Sequence, residues 1–238
     1  MSPLRLKYRK GAEVRFISHL DTGRALRRAL NRAGIAVAYS QGFSPRPKMS
    51  FGPPLAVGHL SETEYVDVAM AEPLDPERLA DRLNAVLPAG LHVLWVGKVP
   101  PGSPSVSAAI TELEYKSLVP WSAIRDGDKA EREFQRALER FRRVNELVVE
   151  RERKGRIQRF DLKQQVPMLN VNCGPDEVEI TSRISVGQGG FPKPEEVLRA
   201  VFSLDEEQTK GVLITRTDVG FGSASGRAKG ARRSKYES

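Results

Sequence analysis

Cysteine occurs once in this 238-residue chain, as Cys173, and histidine three times, as His19, His59 and His92. A single thiol excludes a disulfide framework, a cysteine-rich zinc site and an iron–sulfur cluster held by this chain alone. Three scattered histidines form no metal motif, so no metal site is expected. No apolar run approaches the roughly 20 residues that a membrane span requires. The first ten residues, MSPLRLKYRK, are charged where a signal peptide would be apolar, which points to a cytoplasmic protein with no membrane partner. The phosphate-cradling P-loop, a GxGxxG turn after a strand, the GxSxG elbow and HExxH are all missing. What is present is an ordinary globular composition, 39% apolar and 29% charged, sufficient for a real core.

The net charge of +8 is unevenly placed. Residues 1–50 hold eleven Lys and Arg against two Asp and Glu, and residues 223–238 hold five against one. The chain between them is slightly acidic. A localised positive field attracts polyanions. The last stretch, SASGRAKGARRSKYES, is low in complexity and is expected to be disordered.

Hydrophobic periodicity gives a repeated order. LRLKYRK (4–10) alternates as a strand, and a helix follows over about 20–33. Ser18 is placed as its N-cap, Asp21 in its first turn, Leu20, Leu26, Leu30 and Ala33 on its core side, and Gly34 at its end. KMSFG and residues 63–71 read as strands, LDPERLADRLNAVL as a helix capped by Asp75, and GLHVLWVGKV as a strand. The order β-α-β-β-α-β then recurs, with helices KAEREFQRALERFRRV and KPEEVLRAVFSL and a hairpin turning at Lys154-Gly155. The expected fold is α+β: two tandem ferredoxin-like units, residues 1–100 and 108–222, joined by a Pro/Gly/Ser-rich linker, with the tail 223–238 beyond them. The segment 156–175 has no place in this scheme.

Three stretches could carry chemistry. Arg24, Arg28 and Arg32 recur every four residues with Arg27 beside them, and no Glu or Asp is expected at a spacing that pairs with them, which suits phosphate binding. Residues 38–65 interleave Tyr39, Phe43 and Phe51 with Arg46 and Lys48 among stiffening prolines, a pattern that suits stacking on unpaired bases. His19 stands at the helix mouth, as a phosphate contact, a structural residue or a general base. Cys173 reads as a small buried residue, GQGGF (187–191) as a strand-to-helix turn, and Arg216–Asp218 as either an ion pair or a phosphate contact.

The strings RFISHLD, RALRRALNRAG, AYSQGFSPRPKMSFGPPLAVG and SETEYVD resemble the uncharacterised bacterial family of radical SAM-linked proteins. The family pattern falls on Arg15, Phe16, Ser18, His19, Asp21, Arg24, Tyr39, Ser40, Gly42, Phe43, Pro45, Pro47, Ser50, Phe51, Gly58, Ser61, Glu64 and Tyr65. Gln41 and Arg46 depart from it, standing where an acid and a histidine are expected. The resemblance implies a radical SAM partner protein of the B12-binding type and, from the family's genetic company, a connection with RNA. S-adenosylmethionine and an iron–sulfur cluster are then expected only in the partner, with no cofactor in this chain. At fold level the chain is also similar to CRISPR-type RNA-processing endonucleases.

The expectation is therefore an RNA-binding accessory subunit, without catalytic activity of its own, that presents tRNA or rRNA to a radical SAM partner for modification. Arg15, Arg24, Arg27, Arg28, Arg32, Arg46 and Lys48 would hold phosphates, and Tyr39 and Phe43 would stack on bases. The alternatives are a metal-independent RNA endonuclease using His19, and an assembly factor for the partner that touches no RNA.

Overall fold

The computed structural model describes residues 3–124, 127–153, 155–187 and 189–222. The basic tail expected at 223–238 and the hairpin-turn residue Lys154 lie outside the described residues.

Strand β1 (Leu4–Lys10) buries Leu4, Leu6, Tyr8 and Lys10 on one face, as a period of two requires. Helix α1 (His19–Arg32) starts where the Ser18 hydroxyl accepts the Asp21 N–H at 3.1 Å, and it stops before Gly34, whose φ of 61° is a conformation glycine adopts freely. Strands β2 (Met49–Phe51) and β3 (Leu60–Val68), helix α2 (Pro76–Asn84, capped by Asp75) and strand β4 (Leu91–Lys98) complete the first half. Leu26, Ala29 and Leu30 of α1 and Leu79 and Leu83 of α2 pack on Leu6, Val66, Val68 and Val93 of the strands. Leu20 does not join them and is 67% exposed. At 100° per residue it lies about 120° around the helix from Leu26, off the buried arc.

The second half runs through α3 (Val106–Ala109), β5 (Ile110–Pro120), α4 (Gly127–Arg143), the hairpin β6 (Val148–Arg153) and β7 (Arg156–Asp161), and α5 (Leu162–Gln165). It continues with β8 (Met168–Cys173), β9 (Glu177–Ser185), α6 (Pro194–Phe202), α7 (Glu206–Lys210) and β10 (Leu213–Phe221). The segment 156–175 is thus β7, α5 and an edge strand. The inserted piece is the β6–β7 hairpin, and β8 is a regular member of the sheet.

The sheet has eight strands in the order β4-β1-β3-β10-β5-β9-β8, with β2 also pairing β3. In each half the first strand lies between the last and the third, and the second lies outside the third. Every pairing is antiparallel except one. That exception joins the halves: β10 runs parallel to β3, with Thr215 opposite Leu60 and Arg216 opposite Ser61. Strand β2 is only three residues long and covers Val66–Val68, which leaves the start of β3 open to β10. The molecule is a mixed α+β structure on a mostly antiparallel sheet, with one apolar core under each half. The connection after β4 is strapped to the first half: Arg5 pairs with Asp67 at 2.7 Å and donates to the Pro104 carbonyl, and Asp67 also accepts the Val106 N–H.

Candidate nucleic-acid interface

The β3–β10 seam is built on buried charge. Arg216, 1% exposed, continues the inward register of Ile214 on β10. Its guanidinium donates to Glu64 Oε1 at 2.7 Å, to the Pro53 and Pro54 carbonyls, and twice to the Tyr115 hydroxyl. This satisfied pair decides what Arg216 is for: it is an internal ion pair, out of reach of phosphate. Burial works against its charge, but Glu64 and Tyr115 outweigh that and raise its pKa above the ordinary arginine value. Burial and the Glu64 charge together push the Tyr8 phenol well above its ordinary value.

Lys10 is the second buried cation. Its Nζ donates to the carbonyls of Arg15 at 2.9 Å, Ile17 at 3.1 Å and His59 at 3.4 Å. Gly58 donates its N–H to the same Arg15 carbonyl. One ammonium therefore ties the loop before α1 to the loop before β3. Burial lowers its pKa, and the nearby Glu64 charge works against that.

His19 opens α1 beside this cluster, half-buried, with its ring edge-on to Phe51 at 5.3 Å. The space it shares with Tyr8, Lys10, Thr22, Leu55 and Glu64 is about 10 Å³. That is room for about one water and for no substrate. Burial pushes the imidazole below its usual pKa, against the pull of Glu64, so the ring is neutral at pH 7.

On the outside of α1, Leu20, Arg24, Arg28 and Arg32 are exposed at four-residue spacing, and Arg27 is partly covered. Arg24 does have an acid partner, contrary to the sequence expectation: Asp21, three residues earlier, lies 2.7 Å away and also accepts the Ser18 hydroxyl. Arg32 donates to the Val86 carbonyl at 2.6 Å, which fixes its guanidinium across the α1–α2 junction. No ion pair is formed by Arg27, Arg28, Arg32, Arg46 or Lys48 among the described residues.

The chain leaves α1 into a hairpin. Val37 bridges Met70, Tyr39 bridges Pro47, Lys48 N–H donates to Ala38, and the Ser40 hydroxyl accepts the Arg46 N–H. Gln41 to Arg46 form its exposed tip, where Gly42 has a φ of 126°. Phe43 is fully exposed there, and Tyr39 is exposed on the stem with Lys48. Phe51 is not available for stacking, because it packs on His19 and against Gly23 of α1. Tyr65 is likewise occupied, edge-on to Phe221 at 5.2 Å.

The expected residues therefore separate by role. Ser18, Asp21, Ser61, Glu64, Tyr65 and Phe51 build the scaffold. Arg24, Arg28, Arg32, Arg46, Lys48, Tyr39 and Phe43 form the surface, with Gly42, Pro45 and Pro47 shaping the tip and Ser50 in the return strand. Arg15 belongs to neither group: its guanidinium lies over the Phe16 ring at 4.8 Å, at the edge of a groove between the halves. Lys10 has no role in the sequence reading, and Arg216 stands there only as an ion pair or a phosphate contact, without its partner Glu64. Both are charged residues in phase with an apolar alternation, and that phase was the available signal. Cys173 is half-buried on β8, where burial raises its thiol pKa.

A profile of one family covers residues 3–194, most of the chain. The chain belongs to the bacterial family described as "Uncharacterized protein conserved in bacteria (DUF2344)". No curated protein matches it. Among solved structures it is similar to a chain of "Crystal Structure of a Cbf5-Nop10-Gar1 Complex", at 11% identity and a TM-score of 0.44, over 90% of this chain and 49% of that one. It thus spans about half the length of that relative. It is also similar to "Crystal Structure of an Unknown Protein from Galdieria sulphuraria", at 12% identity and a TM-score of 0.26, over 93% and 99%. Neither likeness is near enough to say anything of activity. Among the described residues, no helix is long and apolar enough to cross a membrane, and no group of three or more His, Cys, Asp and Glu is placed to hold a metal ion.

Proposed function

We propose that this chain is an RNA-binding subunit that presents tRNA or rRNA to a radical SAM partner for modification. The observation that carries the RNA reading is the exposed ladder of Arg24, Arg28 and Arg32 on α1, followed in the chain by a hairpin that holds Phe43, Arg46, Tyr39 and Lys48 in solvent. Cations spaced along a helix hold a phosphate backbone, and exposed aromatics on a proline-stiffened tip stack on unpaired bases. The partnership rests on the resemblance to radical SAM-linked proteins, and S-adenosylmethionine and the iron–sulfur cluster belong to the partner. Each half is read as a ferredoxin-like unit, a reading supported by the shared strand order with the first strand central.

Binding is favoured over cleavage by the setting of His19. A general base must reach the proton it takes, and this ring is packed against Phe51 beside a one-water cavity. The test is to incubate end-labelled tRNA and rRNA fragments with the protein in EDTA, then run native and denaturing gels. Intact RNA should shift with wild type and with His19→Ala, and the shift should weaken at least tenfold when Arg24, Arg28 and Arg32 are all changed to Ala. Cut products that vanish only with His19→Ala would establish the endonuclease instead. No shift with wild type would leave α1 as a surface for the partner protein.

A further inference from the structure

Where the two halves face each other above the β3–β10 seam, a groove of about 480 Å³ opens between the Arg15–Phe16 and Val57–His59 loops on one side and α6 and α7 on the other. A second cavity of about 530 Å³, reaching toward Pro54 and Phe191, shares His59, Arg151 and Lys193 with it. Each is of the size that takes a small ligand, roughly 300–1,000 Å³. We infer that this groove seats one unpaired nucleotide of the bound RNA, its base stacked on Phe16 and its phosphate held by Lys193 and Arg199. The inference rests on the RNA-binding reading and extends it.

Four features point to such a ligand. Phe16 is 72% exposed at the lip, with the Arg15 guanidinium 4.8 Å from the centre of its ring. An aromatic ring left in water beside a guanidinium is the platform on which unpaired bases stack. The acids of the groove are already engaged. Glu196 binds Arg151 at 2.6 Å and accepts the Lys193 N–H, Glu195 binds His59 at 2.9 Å, and Glu206 binds Lys210 at 3.1 Å. The side chains of Arg15, Lys193 and Arg199 make no ion pair among the described residues, so the groove offers uncompensated cations to an anion.

Polar satisfaction gives the third feature. Arg15 Nε on one wall and Glu195 Oε2 on the other are buried without a hydrogen-bond partner. Buried polar atoms are ordinarily paired. A base edge or ribose carries both the acceptor and the donor that these two atoms lack. A purely apolar peptide side chain would satisfy neither. The fourth feature is proximity along the chain: Arg15 and Phe16 stand in the turn that leads into α1, whose outer face exposes Arg24, Arg28 and Arg32.

The experiment uses the full chain and two RNAs: a stem–loop carrying 2-aminopurine in its loop, and a fully paired duplex of equal length. Wild type should prefer the stem–loop and quench the 2-aminopurine fluorescence. Phe16→Ala should weaken stem–loop binding roughly 5- to 100-fold and abolish the quench, with duplex binding unchanged. Phe16→Tyr should restore both, and Lys193→Ala with Arg199→Ala should weaken the stem–loop selectively. Phe16 is exposed, so an unchanged melting temperature will show that Phe16→Ala still folds. If Phe16→Ala keeps the quench and the stem–loop preference, the groove holds no nucleotide, while an intact effect of the α1 arginines keeps the RNA-binding reading alive. If wild type binds neither RNA, both fall, and Phe16 with Val57 faces a protein.

Discussion

Helices α1 and α4 each follow the first strand of one half, and both carry arginines four residues apart. On α1 these are Arg24, Arg28 and Arg32; on α4 they are Arg132, Arg136 and Arg140, also exposed. The difference lies between the arginines. α1 has a single acid, Asp21, at its mouth, where it serves the cap and Arg24. α4 has Asp128, Glu131, Glu133 and Glu139 within its own length. The rest of the second half repeats this balance, with Lys116–Glu179, Arg151–Glu196, Arg159–Glu150 and Arg183–Glu114 paired across strands and elements. Spacing of cations is thus common to both helices, and the scarcity of acids on α1 is what sets it apart as the face proposed to bind an anion.

The contrast can be broken most severely at the seam. Glu64→Gln leaves Arg216 buried without its carboxylate partner, and should destabilise the protein by about 3–5 kcal/mol in urea unfolding. Both cores should lose cooperativity together, because the pair lies between them. Lys10→Met should cost about 2–3 kcal/mol by taking this donor from three carbonyls, of which that of Arg15 keeps the Gly58 N–H. It should also lower RNA affinity without touching a surface cation, since it frees the Arg15–Ser18 loop. Phe43→Ala should weaken binding to loop RNA roughly fivefold or more, with stability unchanged within about 0.5 kcal/mol because the ring touches only solvent.

The smallest effect expected is that of pH. Burial pushes Glu195 up, but the His59 hydrogen bond and charge outweigh it and leave its pKa below the ordinary 4.5. His19 is held below 6.5, mainly by burial. In both cases the unfolded chain takes up the proton first, so stability is full above the ordinary pKa and declines as pH falls through it. The melting temperature should begin to drop below pH 6.5 through His19, and drop again below pH 4.5 through Glu195. His19→Asn should flatten the first step alone.

Much of the first half was legible because its signals are local. Ser18, Asp75 and Gly34 mark helix ends through backbone chemistry that needs no tertiary partner, and the alternation of Leu4, Leu6 and Tyr8 shows the strand. Strand β8 carries its own alternation in Leu169, Val171 and Cys173, but the β6–β7 hairpin before it breaks the match with the first half. Of the candidate site, the α1 arginines and the hairpin aromatics could be read from spacing. Their sorting into exposed Phe43 and half-buried Phe51 could not, because it depends on which ring meets α1. The groove was illegible for the same reason: Arg15 and Lys193 are far apart in the chain and meet only through the β3–β10 pairing.

The most direct measurement is the salt dependence of RNA affinity for three proteins: wild type, the α1 variant with Arg24, Arg28 and Arg32 changed to Ala, and the α4 variant with Arg132, Arg136 and Arg140 changed to Ala. The slope of log K against log salt counts the phosphates neutralised. Loss of the α1 arginines should reduce its magnitude by about 2 to 3, and loss of the α4 arginines should leave it near the wild-type value. Equal losses from both helices would contradict a local anion-binding face on α1 and would assign the attraction to net charge alone.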